Sequence, residues 1–321
     1  MAENEKIPVL AIVGPTASGK TALGISLAQT YNGEVVSADS MQIYKGMSIA
    51  TAKPTAEEMQ GVPHHLIDFL ERDTEFSVAD YVSLAGRTIS DIHSRGRLPI
   101  VVGGTGLYVS SLLENIRFSE TKQNPELRAE LTAFAKEQGT EALHKRLEEL
   151  DWEAAAEIHP NNLVRVIRAL EVCLETGKKF SALKAESRSI PSPYRSCIIG
   201  LDYADRNDLY ERINLRVDRM VQLGLVEESY AVWRQGEMKT ASNAIGYKEL
   251  VPYFEGRTSL SDCVEEIKLQ TRHFAKRQLT WFRRNRQIKW IVLDKTDDLK
   301  KNRENCLKII AKSEVLCYNI E

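Results

Sequence analysis

The chain has no apolar run approaching the roughly 20 residues that cross a bilayer, and residues 1–7 carry charges where a signal sequence needs an apolar core. These absences point to a cytoplasmic protein. Its five cysteines, Cys173, Cys197, Cys263, Cys306 and Cys317, are scattered and form no C-x-x-C. That excludes a disulfide framework and a thiolate zinc site, so they read as reduced and mostly buried. No internal repeat or low-complexity tract interrupts the 321 residues, and the net charge of −2 gives no global pull toward nucleic acid. One absence is local: residues 268–293 contain no acid at all. A chain of this length, 43% hydrophobic and 27% charged, buries a full core and reads as one large domain with something attached.

Against these absences stands one dense motif. Gly14-Pro15-Thr16-Ala17-Ser18-Gly19-Lys20-Thr21 spells the phosphate-cradling pattern G-x-x-x-x-G-K-[ST], directly after the apolar run at 9–13. A buried strand delivers such a loop, its glycines let backbone N–H groups turn onto phosphate oxygens, and a helix N-terminus adds its positive end. Lys20 is placed to neutralise the outer phosphate, and Thr21 to hold Mg²⁺.

Short β-branched or apolar runs at 9–13, 34–37, 98–102, 197–201 and 290–293 read as strands of a buried parallel sheet. The clearest helix between them is 78–94. There Val78, Tyr81, Val82, Ala85, Ile89 and Ile92 share one face, with Ser77 placed to cap it and Gly96 to stop it. Between 119 and 196 the alternation lapses. The stripes Leu127, Leu131, Phe134, then Leu143, Leu147, Leu150, then Leu163, Val166, Ile167, Leu170, Leu174 are helical throughout. The expected organisation is therefore an α/β core of residues 1–118 and 197–321, a parallel sheet flanked by helices, with an all-helical domain inserted at 119–196. The exit at 178–194 is polar and basic, contains Ser-Ile-Pro-Ser-Pro, and is expected to be a connecting loop.

Phosphate-hydrolysing machines with this loop usually close a second strand with an acid that orders Mg²⁺. The run at 98–102 ends instead in Gly103-Gly104-Thr105, which disfavours a motor or switch ATPase. An acid, Asp39, does follow the run at 34–37. Carboxyl ends of neighbouring parallel strands open onto one crevice, so Asp39 is expected to face the phosphate site as a general base, a role typically worth ~10²–10⁴-fold. It also reads as a turn former or helix cap.

In the acid-free segment Lys268, Arg272, Lys276, Arg277, Arg283, Arg284, Arg286 and Lys289 accumulate among His273, Phe274, Trp281 and Phe282. That mixture suits phosphate contacts with base stacking, and equally a solvated basic helix with a buried aromatic face. His64 and His65 are sequential, point apart and read as structural. Arg165 and Arg168 fall opposite an apolar stripe, as a solvated face does. Arg216 and Arg219 flank Val217 and read either as a phosphate clamp or as surface salt bridges.

Seven segments together carry a resemblance: residues 14–21, Ser-Ala-Asp-Ser-Met-Gln at 37–42, Val-Pro-His-His-Leu-Ile-Asp at 62–68, Gly-Gly-Thr-Gly-Leu-Tyr at 103–108, Arg-Val-Ile-Arg-Ala-Leu-Glu at 165–171, Ala-Ile-Gly-Tyr-Lys-Glu-Leu at 244–250 and Ala-Lys-Arg-Gln-Leu-Thr-Trp-Phe-Arg at 275–283. In this order, over nearly the whole chain, the sequence resembles the bacterial tRNA dimethylallyltransferases, the IPP transferase family. The resemblance implies a P-loop NTPase-like fold and an enzyme that moves a five-carbon prenyl group from dimethylallyl diphosphate to the N6 amine of the adenosine just 3′ of the anticodon. It implies a diphosphate held by Gly14, Pro15, Thr16, Ala17, Ser18, Gly19, Lys20, Thr21 and Arg216, with Mg²⁺ on Thr21. Asp39 would take the amine proton, with Thr16 and Lys20 at the reacting centre.

Contacts to tRNA are expected from Asp39, Ser40, Met41, Gln42 and Thr105, from Lys276, Arg277, Arg283 and Arg284 of the basic strip, and from Arg128, Arg165 and Arg168 of the helical insertion on the anticodon stem-loop. One departure is Val164-Arg165, where family members often carry two consecutive basic residues. A monomer is expected. Related adenylate prenyltransferases and P-loop small-molecule kinases share the phosphate loop, and a non-catalytic RNA-binding module would leave Lys20 and Asp39 idle.

Overall fold

The computed structural model of the chain describes residues 6–118, 123–236, 241, 244–293, 298–313 and 315. It forms two compact units, one of Met1–Leu113 with Ser192–Glu321 and one of Glu114–Pro191. In the first, β1 (Ile7–Val13), β2 (Gly33–Ser37), β3 (His64–His65), β4 (Leu98–Gly103), β5 (Tyr194–Tyr203) and β6 (Lys289–Leu293) build one sheet in the order β3-β2-β4-β1-β5-β6. Every neighbouring pair is parallel. Before the second unit the chain forms α1 (Lys20–Thr30), α2 (Ala56–Met59), α3 (Val78–Ser94) and α4 (Gly106–Leu113). Within it come α5 (Pro125–Gln138), α6 (Thr140–Leu150), α7 (Trp152–Glu157), α8 (Leu163–Thr176) and α9 (Phe180–Glu186). After it follow α10 (Arg206–Gln222), α11 (Leu225–Arg234), α12 (Val251–Phe254), α13 (Leu260–Phe282) and α14 (Leu299–Lys312).

Because side chains alternate along a strand, β1 feeds two cores. Leu10 and Ile12 pack with Leu23 and Leu27 of α1, Ile213 of α10, Leu279 of α13 and Ile310 of α14. Val9, Ala11 and Val13 pack on the other face with Tyr81, Ile89 and Ile92 of α3, Leu112 of α4 and Phe282 of α13. A sheet covered on both faces explains why its central strands read as unbroken apolar runs. Helix α3 starts as its sequence predicts: Ser77 Oγ accepts from Asp80 N–H, and the Asp80 carboxylate accepts from Ser77 N–H at 2.8 Å. The architecture is P-loop NTPase-like. Its parallel order brings the carboxyl ends of β1, β2 and β4 side by side, which places the loops after Val13, Ser37 and Gly103 around one crevice.

The second unit holds its own core, with Leu131, Leu143, Leu147, Val166, Ile167 and Leu170 buried, whereas the last residues of two expected stripes, Leu150 and Leu174, are exposed. Its bounds lie ahead of those read from the sequence: β5 begins at Tyr194, so the lapse of alternation ends earlier than 197. The expected boundary residue Ser119 lies outside the described residues, as does Cys317. Cys173, Cys197, Cys263 and Cys306 are free and buried. The expected connecting loop at 178–194 needs correcting, because α9 occupies part of it. Buried Asp151 accepts from the Ser181 N–H at 2.7 Å and from its hydroxyl at 2.8 Å, and Phe180 packs on the helical core, tertiary anchors that override a polar sequence.

Candidate active site

The loop leaving β1 is shaped by backbone constraint before any side chain acts. Gly14 has φ 146°, and a Cβ there would stand 2.7 Å from Leu201 O, so only glycine fits. Ala17 sits at φ 63°, a left-handed conformation that an L-residue adopts at a cost of about 1 kcal/mol or more. Pro15 O accepts from Ser18 Oγ at 2.8 Å and from Lys20 Nζ at 2.5 Å, while Arg212 Nε donates to Ala17 O at 3.2 Å. Gly19, left-handed at φ 78°, then starts α1.

This loop forms one wall of a cavity of about 490 Å³, within the size range of small-ligand sites. Thr16, Lys20 and Thr21 face it from the loop and α1, Asp39, Ser40, Met41 and Gln42 from the segment after β2, and Arg216 from α10. Gly103, Gly104, Phe274, Arg277 and Gln278 complete that side. Burial pulls the Lys20 ammonium down to about 7; the Arg216 charge pushes the same way and Asp39 opposes it. Burial likewise lowers Arg216, against the attraction of Asp39. Two desolvated cations beside one carboxylate make a site short of negative charge, which an anion would supply.

Asp39 fills both of its readings. One carboxylate oxygen, Oδ1, caps the turn by accepting from Met41 N–H at 2.9 Å and Gln42 N–H at 3.3 Å. Among the described residues Oδ2 has no hydrogen-bond partner, which leaves an acceptor at the cavity. The Thr105 hydroxyl accepts from Ser40 N–H at 3.0 Å, and Thr105 N–H donates to Ala38 O at 3.1 Å. Thr105 therefore holds the Asp39 segment in place and does not line the cavity. The side chain of Gln42 is committed too: Nε2 donates to Thr51 O and Ala52 O, each at 3.1 Å, and Oε1 accepts from Ser37 Oγ at 3.2 Å.

Of the arginines expected to contact RNA, two are ion-paired within the helical unit. Arg128 and Arg168 both bind the fully buried Glu171 carboxylate, Arg128 through Nε at 2.8 Å and Nη2 at 2.9 Å, Arg168 through Nη1 at 2.6 Å. Burial pushes Glu171 up, but these arginines and the Asn124 N–H overcome it and bring the carboxyl down to about 2. A buried carboxylate requires these cations, which gives both arginines a structural role. Arg165 is exposed beside Val164.

The basic strip divides as well. Lys268 is neutralised by Asp218 at 2.7 Å and Glu265 at 2.9 Å, and Arg272 donates to Asn214 of α10 at 2.7 Å. Arg283 pairs with Asp202 at 2.6 Å. Lys276, Arg277 and Arg284 are exposed and make no ion pair among the described residues. Trp281 and Phe282 turn inward: Trp281 Nε1 donates to Ser110 Oγ at 3.2 Å, and Phe282 is buried. Neither is free to stack on a base. The structural reading of His64 and His65 matches their surroundings. His65 Nε2 lies 2.7 Å from buried Glu34, and His64 Nδ1 lies 2.8 Å from Val62 O.

Two residues that sequence reasoning passed over organise the site. Glu228 of α11 accepts from Ser48 N–H at 2.9 Å, Ile49 N–H at 3.0 Å and Ala50 N–H at 3.3 Å, and the Tyr247 hydroxyl donates to it at 2.7 Å. It thereby fixes the cavity wall at residues 50–52. Gln278 accepts from Thr16 N–H at 2.8 Å and donates to Gly104 O at 3.0 Å. A polar residue between Ala275, Leu279 and Phe282 on the buried stripe of α13 was the signal available for it.

The family model described as IPP transferase matches residues 42–285. The chain belongs to the IPP transferase family. A Bacillus subtilis protein named tRNA dimethylallyltransferase is 49% identical over 315 residues, covering 97% of this chain and 99% of that protein. Among solved structures, the full-length tRNA isopentenylpyrophosphate transferase from Bacillus halodurans matches at TM-score 0.70 and 43% identity over 98% of this chain and 100% of its own. A eukaryotic dimethylallyltransferase acting on tRNA matches at TM-score 0.81 and 30% identity, over 98% of this chain and 80% of that one. This IPP transferase chain thus carries its relatives' fold through both units.

Proposed function

We propose that this chain transfers the dimethylallyl group of dimethylallyl diphosphate to the N6 amine of the adenosine 3′-adjacent to the anticodon in tRNA. The observation that carries this reading is the meeting of Lys20, Arg216 and Asp39 in one cavity at the phosphate loop, where β4 ends in Gly103 and not in an acid. A hydrolase would need an ordered water and its acid; a prenyl donor needs its leaving group held and its acceptor deprotonated. The N–C bond forms as the C–O bond to diphosphate breaks, and the electron pair departs on the diphosphate oxygen. Lys20, Arg216 and the loop N–H groups bind that growing charge. Asp39, through Oδ2, takes the amine proton. The target adenine leaves the anticodon-loop stack to reach the cavity.

Thr21 lines the cavity beside Lys20, and its hydroxyl is a hard oxygen donor of the kind Mg²⁺ uses when phosphates and water supply its other ligands. Bound there, Mg²⁺ would offset charge on the diphosphate. Lys276, Arg277 and Arg284 are the favoured phosphate contacts to the anticodon stem-loop, with Arg165 of the helical unit. Action as a monomer is part of this proposal. No helix among the described residues is long and apolar enough to cross a membrane, in keeping with work on tRNA in the cytoplasm.

The test compares acceptors. An anticodon stem-loop should be prenylated efficiently, with affinity falling steeply as salt rises, while AMP is a very poor acceptor because flanking RNA holds the extruded base. Efficient AMP prenylation, or phosphate passing from ATP to the acceptor, would replace this reading with one of the two related activities.

A further inference from the structure

Donors are distributed unevenly along the phosphate loop. Pro15 has no N–H, and the Thr16 N–H already donates to Gln278 Oε1 at 2.8 Å. Among the described residues the N–H groups of Ala17, Ser18, Gly19, Lys20 and Thr21 have no protein acceptor. Gln278 is only 5% exposed, and its Nε2 donates to Gly104 O at 3.0 Å. A Cβ on Gly104 would come within 2.1 Å of that nitrogen, so glycine there admits the carboxamide. The two bonds fix its orientation, because exchanging O and N would set donor against donor and acceptor against acceptor. The Pro15–Thr16 end of the loop therefore offers a phosphate oxygen no free N–H and presents an acceptor oxygen instead. Free N–H donors are thus confined to the Ala17–Thr21 end of the loop, next to the α1 N-terminus.

We propose that Gln278 is a specificity-determining residue that restricts this loop to diphosphates by occupying the Thr16 amide a third phosphate would use. The inference rests on the diphosphate reading of the cavity. A phosphate oxygen left without its donor costs about as much as a lost charged hydrogen bond, enough for roughly tenfold discrimination.

Calorimetric binding of inorganic pyrophosphate and inorganic tripolyphosphate to the full chain, each with Mg²⁺, tests it. Wild type should favour pyrophosphate. Gln278→Met keeps the volume but frees the Thr16 amide, so the preference should shift toward tripolyphosphate by about tenfold. Gln278→Glu retains the acceptor toward the Thr16 N–H, adds negative charge and gives up the donor to Gly104 O, so both ligands should weaken while the preference is kept or sharpened. General loosening moves both ligands together and leaves the ratio alone. An unchanged ratio in Gln278→Met, or a lost preference in Gln278→Glu, overturns the inference while leaving the diphosphate reading standing. Wild type that favours tripolyphosphate overturns the diphosphate reading itself. If Gln278→Met does not fold, Gln278→Glu decides.

Discussion

Lys20 and Arg216 bring two cations into one cavity, and burial, with Arg216 beside it, pulls the Lys20 ammonium down to about 7. A bound diphosphate favours the charged form and raises that value again. Donor affinity should therefore be greatest below pH 7 and fall by up to roughly tenfold per pH unit above it, until the raised value of the complex is reached. Titrating dimethylallyl diphosphate against the chain from pH 6 to 9 checks this. Lys20→Ala should flatten the fall through that window and lower kcat by about 10²-fold or more, since the ammonium acts mainly on the departing charge.

Asp39→Asn keeps the shape and the turn-capping Oδ1 but removes the proton acceptor at Oδ2. Single-turnover prenyl transfer should slow by roughly 10²–10⁴-fold with stem-loop affinity unchanged. Equal losses of binding and rate would make Asp39 a positioning residue alone.

Glu34, 2% exposed, is held by Arg95 at 2.5 and 2.8 Å, by Arg97 at 3.3 Å and by His65 at 2.7 Å. The Arg95 hydrogen bonds lead in bringing its carboxyl down to about 2, against its burial. A depressed carboxyl stabilises the fold above its unfolded value of 4.5 and loses that contribution as pH falls toward 2. Glu34→Gln should cost roughly 1 to 3 kcal/mol at pH 7, limited because the arginine ends reach solvent. The gap from wild type should close progressively below pH 4.5 in urea unfolding.

The arginines separate by partner. Replacing Lys276, Arg277 or Arg284 with alanine should flatten the log–log salt dependence of stem-loop binding by roughly 0.7 to 0.9 per lost phosphate contact. Arg128→Ala should leave that slope unchanged and instead destabilise the helical unit, because it strips a cation from Glu171.

What the sequence made legible was local or governed by topology. Residues 14–21 identify themselves by spacing, and Asp39 follows from the rule that parallel strands open at their carboxyl ends. What stayed hidden depends on partners far along the chain. Gln278 meets Thr16 across 262 positions, and although its place on the buried stripe of α13 marks it, nothing in the sequence names its partner. Arg168 passed for a solvated face, and Arg128 stood out only through the resemblance, because Glu171, their partner, sits within the apolar run of α8, where a carboxylate demands buried cations. The inward turn of Trp281 and Phe282 was set by α4 and the sheet, while helical spacing alone fitted either outcome.

The central claim is that the cavity at Lys20, Asp39 and Arg216 moves a prenyl group and not a phosphate. Mass spectrometry of an anticodon stem-loop incubated with the chain, Mg²⁺, dimethylallyl diphosphate and competing ATP tests it most directly. The account predicts one added dimethylallyl group on the adenosine 3′ of the anticodon, with diphosphate released and no phosphate gained by the RNA. Unmodified RNA, or a phosphate acquired from ATP, would contradict it.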